Sequence, residues 1–189
     1  MNPLAPSFYD RDALDVARDL VGALVCANGV TLRITEVEAY RFPGDTANHA
    51  RMGRTPRNAP MWGPPGHAYV YLCYGMHHML NFVTGPEGHA AAVLIRGGEP
   101  VDGHDVFRVR RADGRCDGPG KLAGALALTT ASSGTPLTGE IAVFARRHEP
   151  TLVSGPRIGI DYASEADQLA PWRLADAVSG QVGSRKRLR

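Results

Sequence analysis

Two glutamates, one arginine and a set of tyrosines are the residues of this chain whose types and spacing suit chemistry. In "VTLRITEVEAY", period-two alternation puts Val30, Leu32 and Ile34 on one face of a strand; continuing the count carries Glu36, Glu38 and Tyr40 onto the same apolar face. A buried carboxylate is costly unless it is paired or hydrogen-bonded, so an acid there is expected to line a cleft where its proton affinity can be tuned. A bulge or strand end would turn that face outward, and periodicity alone does not choose between Glu36 and Glu38. Arg96 closes the apolar run "AAAVLIR", where its guanidinium can meet such a carboxylate or hold a water beside it. Tyr40, His49 and Tyr71 are candidate walls of a flat slot for a planar ligand.

A second feature is the hairpin pattern "YVYLCYGMHHMLNFV", residues 69–83, whose turn, Tyr74-Gly75-Met76, carries apolar bulk where polar residues are expected. Tyr69 and Tyr71 share one strand face and Tyr74 the other. An apolar wedge at a hairpin tip suits insertion between base pairs from the minor groove. Charge distribution fits an anionic partner: residues 1–50 carry four basic against seven acidic side chains, residues 51–121 nine against six, and residues 122–189 eight against six. Arg51, Arg54 and Arg57 recur through one loop, Arg108, Arg110, Arg111 and Arg115 cluster, and "GPGK" sets Lys121 at a helix start. Such groups suit phosphate contacts, although solvated surface charge has the same composition.

Other chemistries find no footing. There is no "GxxxxGK[ST]" or "GxGxxG" loop, no metal-ligand spacing of Cys or His, and no nucleophile elbow, so neither a cofactor nor a metal is expected. Three scattered cysteines fit a reducing compartment. No apolar run approaches a membrane span and no secretory leader opens the chain, so the expected location is the cytoplasm or bacterial cell interior, or a nucleus in a eukaryote.

The elements that must position these residues read as follows. "YDRDALDVARDLVG" is a helix with Asp10 as cap and Gly22 as stop, and residues 23–40 are a hairpin about Asn28-Gly29. Residues 43–65 form a long Gly-, Pro- and Arg-rich loop. After the second hairpin, "AAAVLIRGGEPVDG" is a strand, "GPGKLAGALAL" a short helix, and "EIAVFARR" and "RIGIDYA" late strands. The expectation is one α+β domain over residues 1–182: a mainly antiparallel curved sheet surrounded by short helices, with a protruding hairpin and a flexible basic tail at residues 183–189.

"EVEAY", "RTPRNAPMWGPPGHAYVYLCYGMHHMLNFV", "AVLIRGGEPVDG", "GPGKLAGAL" and "RIGID" together resemble the alkyladenine (3-methyladenine) DNA glycosylase family, in order and with similar spacing, over roughly residues 10–175. The resemblance implies a monofunctional, metal-free enzyme that acts on duplex DNA and hydrolyses the N-glycosidic bond of damaged purines: 3-methyladenine, 7-methylguanine, hypoxanthine or ethenoadenine; a one-domain repair enzyme of this kind is expected to work as a monomer. It selects Glu38 over Glu36 as the group activating water, assigns Arg96 and the Ile158 carbonyl to holding that water, and matches Tyr40, His49 and Tyr71 to stacking on the flipped base. It matches Asn81 to exclusion of the guanine 2-amino group and Tyr74, with Met76 beside it, to filling the gap in the duplex. Arg54, Arg57 and Lys121 are left as the phosphate contacts. The pattern departs after "PWR", where the family's aromatic residues and Gly-x-Pro strand give way to "LADAVSGQVGSRKRLR". A lesion-binding protein without catalysis, and more distantly an RNA-binding domain, would share several of these features.

Overall fold

The computed structural model describes residues 2–189. Its frame is a curled antiparallel sheet of eight strands. Two hairpins supply half of it: β1 (Leu24–Ala27) with β2 (Val30–Tyr40), and β3 (Ala68–Cys73) with β4 (His77–Thr84). The long β5 (Ala91–Asp102) joins them, and β6 (Ile141–Phe144) extends the order to β3-β4-β5-β2-β1-β6. β7 (Leu152–Gly155) pairs with β8 (Arg173–Asp176), which returns to β2. β2 therefore pairs with β5 along its length, with β1 through its first half and with β8 through its second. Around the sheet lie α1 (Pro6–Tyr9), α2 (Ala13–Leu20), α3 (His104–Arg110), α4 (Pro119–Ala125) and α5 (Glu165–Leu169).

Local chemistry explains most boundaries. Asn28 and Gly29 both take positive φ, as the first hairpin requires. The cap of α2 is Asp12, whose carboxylate accepts the Leu14 N–H at 2.9 Å, and not Asp10, which follows the separate short helix α1. Residues 157–163 are irregular where "RIGIDYA" was expected as a strand, because their polar groups turn inward: Ile158 N–H donates to Glu38 and Arg157 reaches Asp45. Residues 183–189, set apart as a tail in the sequence, make backbone bonds in both directions between Ser154 and Arg189.

Two faces of the sheet are buried differently. The main core takes Val30, Leu32 and Ile34 from β2, then Val37 and Ala39, a step of three that breaks period two. The cause is a pair of back-to-back bulges: Ile34 opposes Gly98 and Glu36 opposes Gly97, leaving Thr35 extra on β2, while Val37 opposes Ile95, leaving Arg96 extra on β5. The bulges swing Glu36, Glu38 and Tyr40 off the face of Val30, Leu32 and Ile34, contrary to the simple count. Glu36 and Glu38 remain buried, and Tyr40 half-buried, because the opposite face is covered too. Ala50 and Met61 from the 41–65 loop pack there on Tyr69, Val83 and Ala92, and Ile160 and Ala163 pack with Ala47 against Tyr40.

Candidate active site

Tyr69, Asn81, Leu94, Glu38 and Arg173 stand directly opposite one another across β3, β4, β5, β2 and β8. Opposed residues of antiparallel strands share a face, so strand register alone lines up the floor of the site. Glu38 is fully buried. Its Oε1 accepts the Ile158 N–H at 2.8 Å, and its Oε2 accepts the Tyr40 hydroxyl at 2.9 Å and lies 3.2 Å from Arg96 Nη1. The bond from Ile158 comes from its amide; the carbonyl has no part in it. Burial would lower the affinity of the Arg96 guanidinium for its proton, but Glu38 and Glu36 beside it raise it above its ordinary value. Burial next to Glu38 raises Tyr40 well above an ordinary tyrosine, so its hydroxyl is a fixed donor to the carboxylate.

Beside the carboxylate the aromatic rings converge. His49 meets Tyr71 edge-on with ring centroids 4.4 Å apart and planes at 76°, and Tyr69 lies 5.5 Å from Tyr71. With Tyr40, Met61 and Asn81 these rings enclose a cavity of only about 10 Å³. That is about one water probe, far short of a purine, so a planar ligand enters only if a wall moves. His49 is the wall with least to hold it: the residue is exposed, and beside its edge-on contacts with Tyr71 and Tyr69 its ring has one long polar contact, 3.3 Å from Nδ1 to the Tyr69 hydroxyl. Packing in the site, with Arg57 and Arg51 nearby, pushes the His49 imidazole down to about 4 and leaves it neutral at pH 7. Burial likewise raises Tyr71, and no ring in the slot is a ready proton donor. Asn81 is fixed at the slot by its amide, which donates to the carbonyls of Tyr69 and Met79 at 3.2 Å each.

The loop bearing His49 is held from beneath by residues that no short-range pattern announced. Asp45 and Arg157 form a fully buried two-pronged pair at 2.6 and 2.8 Å, and Arg157 also donates to Ala39 O at 2.9 Å and covers the Tyr40 ring. Asn48 donates to Arg41 O and Ala90 O, and Asn58 to His49 O and Gly53 O. Glu36 and Arg173, also fully buried, complete the floor.

The rim is different. At the turn of the β3–β4 hairpin, Tyr74 and Gly75 have φ of 50° and 69°, and Met76 N–H closes the turn on Cys73 O at 3.0 Å. Tyr74 is 88% exposed and Met76 71%, in a fold that buries apolar residues of the same size elsewhere. Arg57 donates to Leu72 O at 2.8 Å and Arg51 lies over Tyr162, while Arg54 is exposed; none of the three is paired with a carboxylate among the described residues. Arg51, Thr55 and Arg57 border a recess of about 150 Å³ that shares His49 and Tyr69 with the slot. Lys121 is not free: its ammonium sits 2.6 Å from Asp117. Partial burial works against that carboxylate, yet bonds from Arg115 and Lys121 hold Asp117 down to about 2. A larger cavity, about 610 Å³, lies elsewhere, over Leu24, Cys26, Arg33 and Phe144. Its Arg33 is already bound to Glu99 and Asp176. Among the described residues no cluster of His, Cys, Asp or Glu has the makings of a metal site, and no helix is long and apolar enough to cross a membrane.

Comparison with known proteins gives the arrangement its context. A chain from Nitrosococcus oceani, provisionally named 3-methyladenine DNA glycosylase, is 53% identical over 98% of this chain and 95% of its own length. The DNA-3-methyladenine glycosylase of Arabidopsis thaliana is 46% identical over 98% of this chain and 76% of its own. The profile of the methylpurine-DNA glycosylase family matches residues 7–179. A buried carboxylate under a closed aromatic slot, with an unpaired basic and apolar rim, thus sits in a chain that belongs to the methylpurine-DNA glycosylase family, hydrolases that act on N-glycosyl bonds of DNA.

Proposed function

We propose that this glycosylase extrudes alkylated purines from duplex DNA into the Tyr40–His49–Tyr71 slot and hydrolyses the bond to the sugar with Glu38 as the catalytic base. The observation that carries the proposal is the setting of Glu38: fully buried beside the slot, with the Tyr40 hydroxyl and the Ile158 N–H donating to it and the Arg96 guanidinium ion-paired at 3.2 Å. Departure of the base builds oxocarbenium-like positive charge on the sugar, which an adjacent carboxylate stabilises while it takes a proton from the attacking water. Arg96 stands where it can also orient that water. An extruded base costs less to flip when it is damaged or mispaired.

The slot favours one class of lesion. His49 is neutral at pH 7 and the tyrosines hold their protons, so a cationic 3-methyladenine or 7-methylguanine stacks on electron-rich rings without repulsion and leaves without an acid. Neutral hypoxanthine and ethenoadenine lack that help, and their release is expected to be slower. Asn81, whose amide is held by two backbone carbonyls, crowds the 2-amino group of guanine in this reading. Tyr74 and Met76 fill the space the nucleotide vacates, while Arg54, Arg57 and Lys121 contact phosphates; the protein works as a monomer. The test is single-turnover release from duplexes carrying each lesion, with wild type beside Glu38→Gln. Loss of a general base should slow release by roughly 10²–10⁴-fold with lesion affinity retained. Release that survives the substitution at the wild-type rate would remove Glu38 from the chemistry.

A further inference from the structure

Glu36 lies two residues before the catalytic base, is as deeply buried, and has no place in the reaction described above. Its surroundings are specific. Glu36 Oε1 accepts from Arg96 Nε at 2.9 Å and from Arg173 Nη1 at 3.1 Å, and Oε2 accepts the Gly183 N–H at 2.7 Å. Arg96 therefore bridges two carboxylates, hydrogen-bonded to Glu36 through Nε and ion-paired with Glu38 through Nη1 at 3.2 Å. Arg173 in turn donates to Gly183 O at 3.0 Å and Ser184 O at 3.2 Å. The four side chains and one turn of the C-terminal segment form a continuous array ending at Glu38.

The backbone is shaped to admit that segment. A Cβ on Gly183 would fall 3.0 Å from Asp117 O and 3.4 Å from Glu36 Oε2, and one on Gly97 would fall 2.5 Å from Gln181 O and 2.7 Å from Thr35 Oγ1. Glycine at both places lets residues 181–183 reach the bulge that carries Glu36 and Arg96. Thr35 Oγ1 donates to Gln181 O at 2.6 Å, and Gln181 Oε1 accepts the Cys116 N–H at 2.8 Å, so the segment is anchored on both sides.

We infer that Glu36, held by Arg173 and the Gly183 N–H, is a positioning residue for the reaction: it keeps the Arg96 guanidinium divided between two carboxylates. The inference rests on the reading of Glu38 as the base. Without Glu36, Arg96 has Glu38 as its one nearby carboxylate, and two-pronged pairing there is the favoured geometry for a guanidinium. That pairing would place Arg96 squarely on the group that must accept a proton from water and would turn its N–H groups away from that water. Substrate binding, governed by the slot and the rim, would be untouched. The C-terminal segment thereby acts on catalysis and not on DNA affinity.

The experiment compares Glu36→Gln, Glu38→Gln and the double variant in single-turnover release of 3-methyladenine and in binding of a duplex carrying an uncleavable abasic-site analogue. Expected for Glu36→Gln is a rate lower by roughly 10²-fold, the scale of a small misplacement of reacting groups, with affinity within about twofold of wild type. The double variant should be no slower than Glu38→Gln alone, because the two residues act through one group. Gly183→Ala keeps every charge and disturbs the Gly183 bond to Glu36; it should show the same fall in rate without loss of affinity, and it carries the test if Glu36→Gln does not fold. A wild-type rate in these variants, a parallel loss of rate and affinity, or additive slowing in the double variant would overturn the inference and leave a structural ion cluster. Those results are distinct from failure of the base reading, in which Glu38→Gln itself retains the wild-type rate.

Discussion

The floor and the rim of the site are built on opposite rules. On the floor the charged and amide groups interlock: Asp45 with Arg157, Glu36 with Arg96 and Arg173, Glu38 with Tyr40 and Ile158. On the rim, Tyr74 and Met76 stand exposed and Arg51, Arg54 and Arg57 carry uncompensated charge. A buried charge must be paired at once, within the chain, or the fold does not tolerate it. An exposed one can wait for a partner, and here the partner is DNA. The difference teaches that substitutions on the floor should appear as lost stability or lost chemistry, and those on the rim as lost affinity.

The sharpest way to break the comparison is at Asp45. Asp45→Ala leaves Arg157 as a buried cation with no paired carboxylate, held by the Ala39 carbonyl at 2.9 Å and the faces of Tyr40 and Trp172. Stability should fall by about 3–5 kcal/mol, read from the urea midpoint, and pairing the change with Arg157→Met should recover part of the loss. A loss below about 1 kcal/mol would mean the floor tolerates unpaired charge, and the contrast with the rim would fail.

How far the sequence revealed this division depends on the range of each interaction. Period two and Asn28-Gly29 were enough for β1 to β6 and the first two hairpins, since those rest on neighbours in the chain, whereas β7 and β8 went unread and the strand expected at 157–163 is irregular. The tip Tyr74-Gly75-Met76 stood out because bulk at a turn violates a local rule. Glu36 and Glu38 drew notice as acids continuing an apolar pattern, but the sheet face assigned to them was reversed: paired bulges at Thr35 and Arg96 depend on register with β5, about 60 residues away. Arg157 and Asp45 left no trace at all, being 112 residues apart. Lys121 was visible as a cation at a helix start, while its neutralisation by Asp117 one turn earlier went unread, although an i,i+4 pair is within reach of sequence.

On the rim, Tyr74→Ala should weaken binding of a lesion duplex by about 1–3 kcal/mol with stability unchanged, because an 88% exposed side chain has little to lose on the protein side. Unaltered affinity would make the exposed tip idle. The basic groups offer a finer division. Arg57→Gln should reduce the slope of log affinity against log salt by roughly 0.9, the share of one phosphate contact. Lys121→Ala should reduce it by less, since Asp117, 2.6 Å from its ammonium, already neutralises part of its charge. Equal slopes for the two variants would show that a paired and an unpaired cation serve the backbone alike, which the comparison forbids.

His49 lies on the boundary between the two regions, and its expected effect is the smallest. Its imidazole is pushed from 6.5 down to about 4 by packing and by the Arg57 and Arg51 guanidiniums. The unfolded chain therefore binds a proton that the native state refuses between those limits. The stability that comes from a neutral His49 is complete above about 6.5 and is lost as pH falls through about 4. Because the ring keeps an exposed edge and water screens it, the loss should stay under about 1 kcal/mol. It is measured as the difference between wild type and His49→Gln in urea midpoint across that range, with the carboxylates common to both cancelling. Superimposable curves would mean the histidine titrates freely and belongs to the rim. A residual slope in wild type alone would place it with the floor, as a wall kept neutral for a cationic base yet held loosely enough to swing aside.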